Sequence, residues 1–222
     1  MNELVHMEAI GRAWMQGKTR VPVIASFTGA VVPGDRIAVM GPSGSGKSTL
    51  LHIMGGLDAP TSGHIMWPEL GDAKHLRPHK IGMVFQMTSL LAPLTTVENI
   101  ELPLLIQGVC PAEARTAAVQ ALDDIGLTVI ANKLPEELSG GQAQRVAVAR
   151  VLASRPRLIL ADEPTGQLDH PTGQHLMDVL LAAIEHSGAA LVVATHDPAI
   201  ACRMQTVWRI RRPEQEVTSC FS

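Results

Sequence analysis

Tyrosine is absent from this 222-residue chain, and three phenylalanines and three tryptophans complete its aromatic content. Charge of one sign is equally scarce, since 18 Lys and Arg against 21 Asp and Glu leave a formal net charge of -3. A nucleic-acid surface needs a basic stripe and aromatic platforms for stacked bases, so neither DNA nor RNA is an expected partner. No uninterrupted apolar run approaches the roughly 18 residues that suggest a bilayer span. The opening "MNELVHMEAIGR" has acidic residues where a signal peptide needs a basic segment, so the expectation is a soluble cytosolic chain. Cysteine is sparse too. Cys110, Cys202 and Cys220 are odd in number and lack metal-ligand spacing, which leaves reduced thiols with no assigned chemistry.

What is present suffices for a core, with 46% of residues hydrophobic. Short aliphatic runs alternate with helical patterns: "RIAVM" at 36–40, "IGMVF" at 81–85, "RLILA" at 157–161 and "ALVVAT" at 190–195. Unbroken runs of this kind suit strands buried on both faces of a mostly parallel α/β sheet. Helices are expected at 47–54, ended by Gly55 and Gly56, and at 172–187, ended by Gly188. Before Arg36 the pattern predicts an antiparallel β layer with "VPVIASFTGAVV" as its clearest member, although Pro22 and Gly29 sit poorly in a strand interior. Between residues 87 and 156 the strand signal vanishes. There "PAEARTAAVQALDDIG" sets Ala114, Ala118, Ala121, Leu122 and Ile125 on one helical stripe, with Pro111 in the first turn and Gly126 as the stop. The chain therefore reads as one domain over residues 1–222: a core lobe of 1–86 and 156–222, and an inserted helical lobe of 87–155.

Three stretches carry the chemistry. "GPSGSGKST" comprises Gly41, Pro42, Ser43, Gly44, Ser45, Gly46, Lys47, Ser48 and Thr49; it follows a strand and opens a helix, as a phosphate loop must. Glycines let the backbone curl so that successive N–H groups point inward, and the helix N-terminus adds its positive end. Lys47 is then set to reach the β- and γ-phosphates, Ser48 to ligate Mg²⁺ and Thr49 to bond the α-phosphate. "LILADE" delivers Asp162 and Glu163 at the C-terminal end of a buried strand, where α/β sheets hold their ligands. Adjacent carboxylates at such an edge are costly without a cation or water to act on, so Asp162 is assigned to the Mg²⁺ shell and Glu163 to polarising a water. "LSGGQ" at 138–142 is a second anion site in local form: Ser139 is an N-cap candidate, Gly140 and Gly141 open the turn, and Gln142 completes a capping box.

With these motifs in order, the chain resembles the ATP-binding subunit of ATP-binding cassette (ABC) transporters over nearly its whole length. The resemblance adds the glutamine of "VFQ", Gln86, as a metal and water contact, the D-loop "GQLD" ending at Asp169, and the switch histidine His196 of "ATHD". It implies the α/β P-loop NTPase fold of an ABC ATPase, with ATP and Mg²⁺ as ligands. It also implies a head-to-tail pair of identical chains in which the signature of one subunit completes the ATP site of the other, so each cradle holds an opposite side of the same nucleotide. The family's adenine-stacking aromatic matches Trp14 in "GRAW", in a chain with no tyrosine. Ala143 stands where related subunits often have glutamine, and Gln167 where asparagine is common.

"LLHIMGGLDAPTSG", "SLLAPLTTVENIELPL" and "LADEPTGQLD" are similar to the branch that contains the lipoprotein-release, macrolide-export and cell-division ATPases. That branch implies transmembrane permease subunits as partners, docking of a partner helix near Leu90, Leu91, Leu94 and "VENIELPLL", and a peripheral position on the cytoplasmic side of the inner membrane. The expected function is ATP hydrolysis that drives membrane subunits, of the export or mechanotransmission type. The alternative is an ABC ATPase of a cell-division or scaffold complex that transports nothing. A soluble ABC ATPase acting on DNA or ribosomes would need a coiled-coil insertion or a second cassette, and neither is present. The short stretch after the last expected strand leaves no appended regulatory domain to expect.

Overall fold

The computed structural model describes residues 2–17, 19–77, 79–87 and 89–212, so Cys220 lies outside the described residues. Strand β1 (Val5–Gln16) pairs antiparallel with β2 (Thr19–Val31), from Val5↔Val31 to Gln16↔Thr19, and Gly17 takes the turn at φ 63°. A short strand that periodicity did not reveal, Ser62–Met66, lies on the other side of β1. The resulting order places β2 at an edge of the layer. Pro22 is therefore tolerated, because an edge strand has a row of N–H groups that need no partner. Gly29 marks a close approach: a Cβ there would stand 3.0 Å from the Phe27 ring and 3.4 Å from the Trp208 indole.

The second sheet holds β3 (Arg36–Met40), β5 (Ile81–Val84), β6 (Leu158–Asp162), β7 (Ala190–Thr195) and β8 (Thr206–Arg209), where β4 denotes the Ser62–Met66 strand. Its order is β5-β6-β7-β3-β8 and all its pairings are parallel. Successive residues of its strands enter opposite cores. Val39, Leu160 and Val192 join Leu50, Ile53 and Met54 of α1 (Lys47–Met54) and the antiparallel layer, while Ala38, Ile159, Leu191 and Val193 face Leu176, Leu180 and Ile184 of α5 (His170–Ser187). That two-sided burial is the reason these strands read as unbroken aliphatic runs.

A third core lies among α2 (Thr96–Ile106), α3 (Pro111–Asp124) and α4 (Gly140–Ala153). The expected stripe is its α3 wall, with Ala114, Ala118, Ala121, Leu122 and Ile125 all buried. Truncating Leu122 to alanine there should cost about 2–5 kcal/mol, the usual penalty for a large-to-small change in a filled core. Helix α4 belongs to two cores at once. Its Val146 and Ala149 pack among the helices, while Val148 and Val151 pack against the sheet and α5. The stretch "LSGGQ" therefore opens a helix packed into both of these cores. A last short helix, α6 (Pro198–Ala201), follows β7 and is capped by Asp197.

Candidate functional site

The loop after β3 turns into α1 through Gly44 and Gly46, which adopt left-handed φ values of 72° and 95°. A side chain at Gly46 would be strained by that φ and would set its Cβ 2.8 Å from the Val23 carbonyl. Pro42, Ser43 and Gly44 form the exposed outer lip, Ser45, Gly46 and Lys47 are buried beneath it, and Ser48 and Thr49 are half-buried. Lys47 curls back over the loop, its Nζ donating to the Gly41 carbonyl at 3.0 Å and the Pro42 carbonyl at 3.3 Å. The Ser45 hydroxyl is buried with no hydrogen-bond partner.

Strand β6 presents its carboxylates to this loop. Asp162 is buried, and one of its oxygens, Oδ1, has no partner. Desolvation raises its pKa above the ordinary carboxylate value; a hydrogen bond from Ser48 and the nearby His52 and Lys47 pull the other way, while Glu163 adds to the rise. An uncompensated buried carboxylate oxygen beside a serine hydroxyl is a hard-donor pair suited to a divalent cation such as Mg²⁺. Among the described residues no group of three or more His, Cys, Asp or Glu could hold a metal, so Asp162 would be joined there by neutral donors such as the Ser48 hydroxyl.

Glu163 follows with a backbone φ of 45°, a conformation that costs a non-glycine residue roughly 1–2 kcal/mol. Its N–H donates to the Ala194 carbonyl at 2.9 Å, which locks it across to β7. The same carboxylate meets a lysine and a histidine: Oε1 lies 3.9 Å from Lys47 Nζ, and Oε2 lies 2.9 Å from His196 Nδ1 at the end of β7. Gln86 is exposed just past β5, whose Val84 is in register with Ala161, so it leaves the sheet at the edge where Asp162 and Glu163 leave it.

The signature residues are not gathered at this loop within one chain. Ser139 caps α4, its Oγ accepting from Gln142 N–H at 3.2 Å, while Gln142 Oε1 accepts from the Ser139 N–H at 2.9 Å. A Cβ at Gly140 would stand 3.1 Å from Gln167 Oε1, and one at Gly141 would stand 3.0 Å from Leu168. The unusual Gln167 thus lies against the signature turn. Asp169 caps α5 by accepting from the Thr172 N–H at 3.0 Å and its hydroxyl at 2.9 Å, and the backbone bond, then the hydroxyl, lowers its pKa. This cap starts α5 two residues ahead of the expected Thr172, with Pro171 accommodated in the first turn. Trp14 stands half-exposed on β1, paired with Val21.

Two connecting residues escaped the reading of the sequence. Gln144, fully buried on α4, donates to the Phe85 carbonyl at 3.3 Å, and Arg150 donates to the Ser89 carbonyl and hydroxyl at 2.9 and 2.6 Å. Both tie the signature helix to the segment that carries Gln86. The signal for Gln144 was a polar residue beside the apolar run of α4, a position that demands a hydrogen-bond partner once buried.

Residues 25–166 match the model of the ABC transporter family. The chain is 41% identical over 215 residues to the lipoprotein-releasing system ATP-binding protein LolD of Legionella pneumophila (strain Paris), covering 93% of this chain and 95% of that one. It is 42% identical over 217 residues to the protein of the same name from Geobacter metallireducens, covering 95% and 96%. Its structure superposes with a TM-score of 0.87 on the dimeric post-hydrolysis ATP-binding cassette MJ0796 bound to ADP and Pi, at 37% identity over 93% of this chain and 94% of that one. The phosphate loop and the carboxylates facing it thus have a family to answer to: the chain belongs to the ABC transporters, in the branch that includes lipoprotein release, as an ATP-binding subunit with ATPase activity.

Proposed function

We propose that two copies of this chain close head to tail around two ATP molecules and that opening and closing of the pair drives transmembrane permease subunits in export or mechanotransmission. The names of the relatives make lipoprotein release the first cargo process to test. The observation that carries the reading is the Glu163 carboxylate held between Lys47 and His196 on a left-handed backbone. Strain of that kind persists where the surrounding structure over-determines a functional geometry.

In this reading residues 1–86 and 156–222 are the ATPase lobe and 87–155 the helical lobe of a single domain. Gly41, Gly44, Gly46 and the N-terminus of α1 cradle the phosphates, and Thr49 bonds the α-phosphate. Ser48 and Asp162 hold Mg²⁺, with Gln86 beside them; the orphaned Asp162 oxygen fits that task. A bound ion would supply neutralisation of phosphate charge there. Glu163 orients a water and accepts its proton, while Lys47 and His196 stabilise charge on the transferred group. Trp14 stacks on adenine. Ser139, Gly140, Gly141 and Gln142, at the outward end of α4, cover the γ-phosphate bound by the other copy, and Asp169 orders the neighbouring D-loop.

No helix among the described residues is long and apolar enough to cross a membrane. Attachment to the cytoplasmic face of the inner membrane would then run through the permease. The test is to purify tagged full-length Glu163→Gln protein from detergent-solubilised membranes with ATP and Mg²⁺ and to identify what accompanies it by mass spectrometry. A stoichiometric partner with few spans and a large extracytoplasmic part is expected. A many-spanning permease or no membrane protein at all would overturn the mechanotransmission reading.

A further inference from the structure

On β1, two residues before Trp14, Arg12 reaches over the indole: its Cζ lies 4.0 Å from the ring centroid. The guanidinium is held from behind, with Nη2 2.8 Å from Asp58 Oδ1 and only 16% of the Arg12 side chain exposed. Its Nε is buried with no hydrogen-bond partner. An arginine that leaves one donor unsatisfied while covering an aromatic face is fixed by the ion pair and the ring together, not by a full hydrogen-bond set.

This arrangement stands at the edge of the nucleotide site. Arg12 pairs with Ile24 and Trp14 with Val21, and Val23, between these partners, lies with the Ile24 side chain against Gly46 of the phosphate loop. Trp14 itself remains 48% exposed, as an indole would be with one face covered and the other free.

Taking Trp14 as the adenine platform, we infer that Arg12 is a positioning residue for nucleobase binding: it stacks on the inner face of Trp14, fixes the ring through Asp58, and leaves the outer face to the base. A free tryptophan on a strand near a hairpin turn must give up rotamer freedom when a base stacks on it. Arg12 removes that freedom beforehand. A guanidinium on one π-face is attracted by the ring quadrupole, so the clamp acts without blocking the opposite face.

The test compares MgADP with Mg-pyrophosphate by calorimetry on the full-length chain, because the two ligands share a diphosphate and differ in the base. Arg12→Gln should weaken MgADP about threefold to tenfold, the range of a partly desolvated cation on an indole, and leave Mg-pyrophosphate unchanged. Arg12→Lys should recover part of the loss, and Asp58→Asn should reproduce part of it. In a Trp14→Ala background Arg12→Gln should add nothing. Unchanged MgADP affinity in Arg12→Gln, or equal losses for both ligands, would overturn the inference while leaving the platform intact. If Trp14→Ala alone leaves MgADP affinity unchanged, the platform reading itself falls. Should Arg12→Gln not fold, the Lys and Asp58→Asn variants carry the same comparison, and wild-type affinity in both overturns the clamp.

Discussion

His196 Nδ1 lies 2.9 Å from Glu163 Oε2, and the other oxygen of that carboxylate lies 3.9 Å from Lys47 Nζ. One side chain thus joins the end of β7, the end of β6 and the first residue of α1. A carboxylate held so can orient a water without swinging, and removing its charge leaves the geometry standing. Glu163→Gln should therefore lower the rate of phosphate release by at least about 100-fold, the lower bound for a positioned general base, while ATP still binds. Turnover near that of the wild type would assign the role elsewhere.

Ser139 lies exposed at the start of α4, and the adjoining Gly140 and Gly141 stand against Gln167 and Leu168 of the same chain. If its partner is the nucleotide of a second copy, a bulky cation there should block closure and spare binding. Ser139→Arg in the Glu163→Gln background should remain monomeric with ATP and Mg²⁺ by light scattering. Loss of the cap should cost about 1 kcal/mol of stability, not enough to unfold a domain. ATP-induced dimers of this variant would sink the two-sided sandwich.

Asp169 offers a pH-dependent stability that is separate from catalysis. Its hydrogen bonds from Thr172 favour the ionised form, so the folded-state pKa is below the unfolded value. The stability it contributes is present above the unfolded-state pKa and disappears as pH falls through the depressed folded-state one. Asp169→Ala should melt at a lower temperature than wild type at pH 7, and the gap should close on acidification below the ordinary carboxylate range. A gap that stayed constant with pH would mean the cap works without its charge.

Buried Asn99 holds the segment ahead of α2. It accepts from the Leu91 N–H at 2.7 Å and donates to the Leu91 and Leu94 carbonyls at 3.1 and 2.9 Å. Asn99→Ala leaves those backbone groups unpaired, so denaturant unfolding should show a loss of about 3 kcal/mol, near the upper end for unsatisfied buried groups. A change under about 0.5 kcal/mol would mean that water replaces the side chain freely.

Strands β3 and β7 and helix α1 were legible to the residue because an aliphatic run or a Lys47 start is bounded by glycine or by the Arg36 and Thr195 breaks. Strand β4 was not. It has five residues of weak alternation, and it exists because β1, more than forty residues upstream, supplies the pairing edge. The motifs named the loops of the site, but their mutual geometry depends on distant contacts. The left-handed backbone of Glu163 is locked by Ala194, and Gln144 reaches Phe85 across 59 residues of chain. No local pattern encodes a contact between residues separated by that much chain.

Exposure along the proposed docking segment is uneven, which sharpens its test. Leu90 packs against the helical core and Leu94 is half-buried, whereas Met87 is 79% exposed, Leu91 46% and Ile106 65%. Large apolar side chains left in water on one lobe mark a contact surface when they cluster, and Met87 and Leu91 share the short connection after β5. An aspartate at each should repel an apolar partner helix while disturbing no internal packing. Met87→Asp with Leu91→Asp should keep the melting temperature within a few degrees of wild type and abolish co-purification of the membrane subunit. Retained co-purification would move the docking surface off this connection, and a collapse in stability would show that these side chains belong to the core after all.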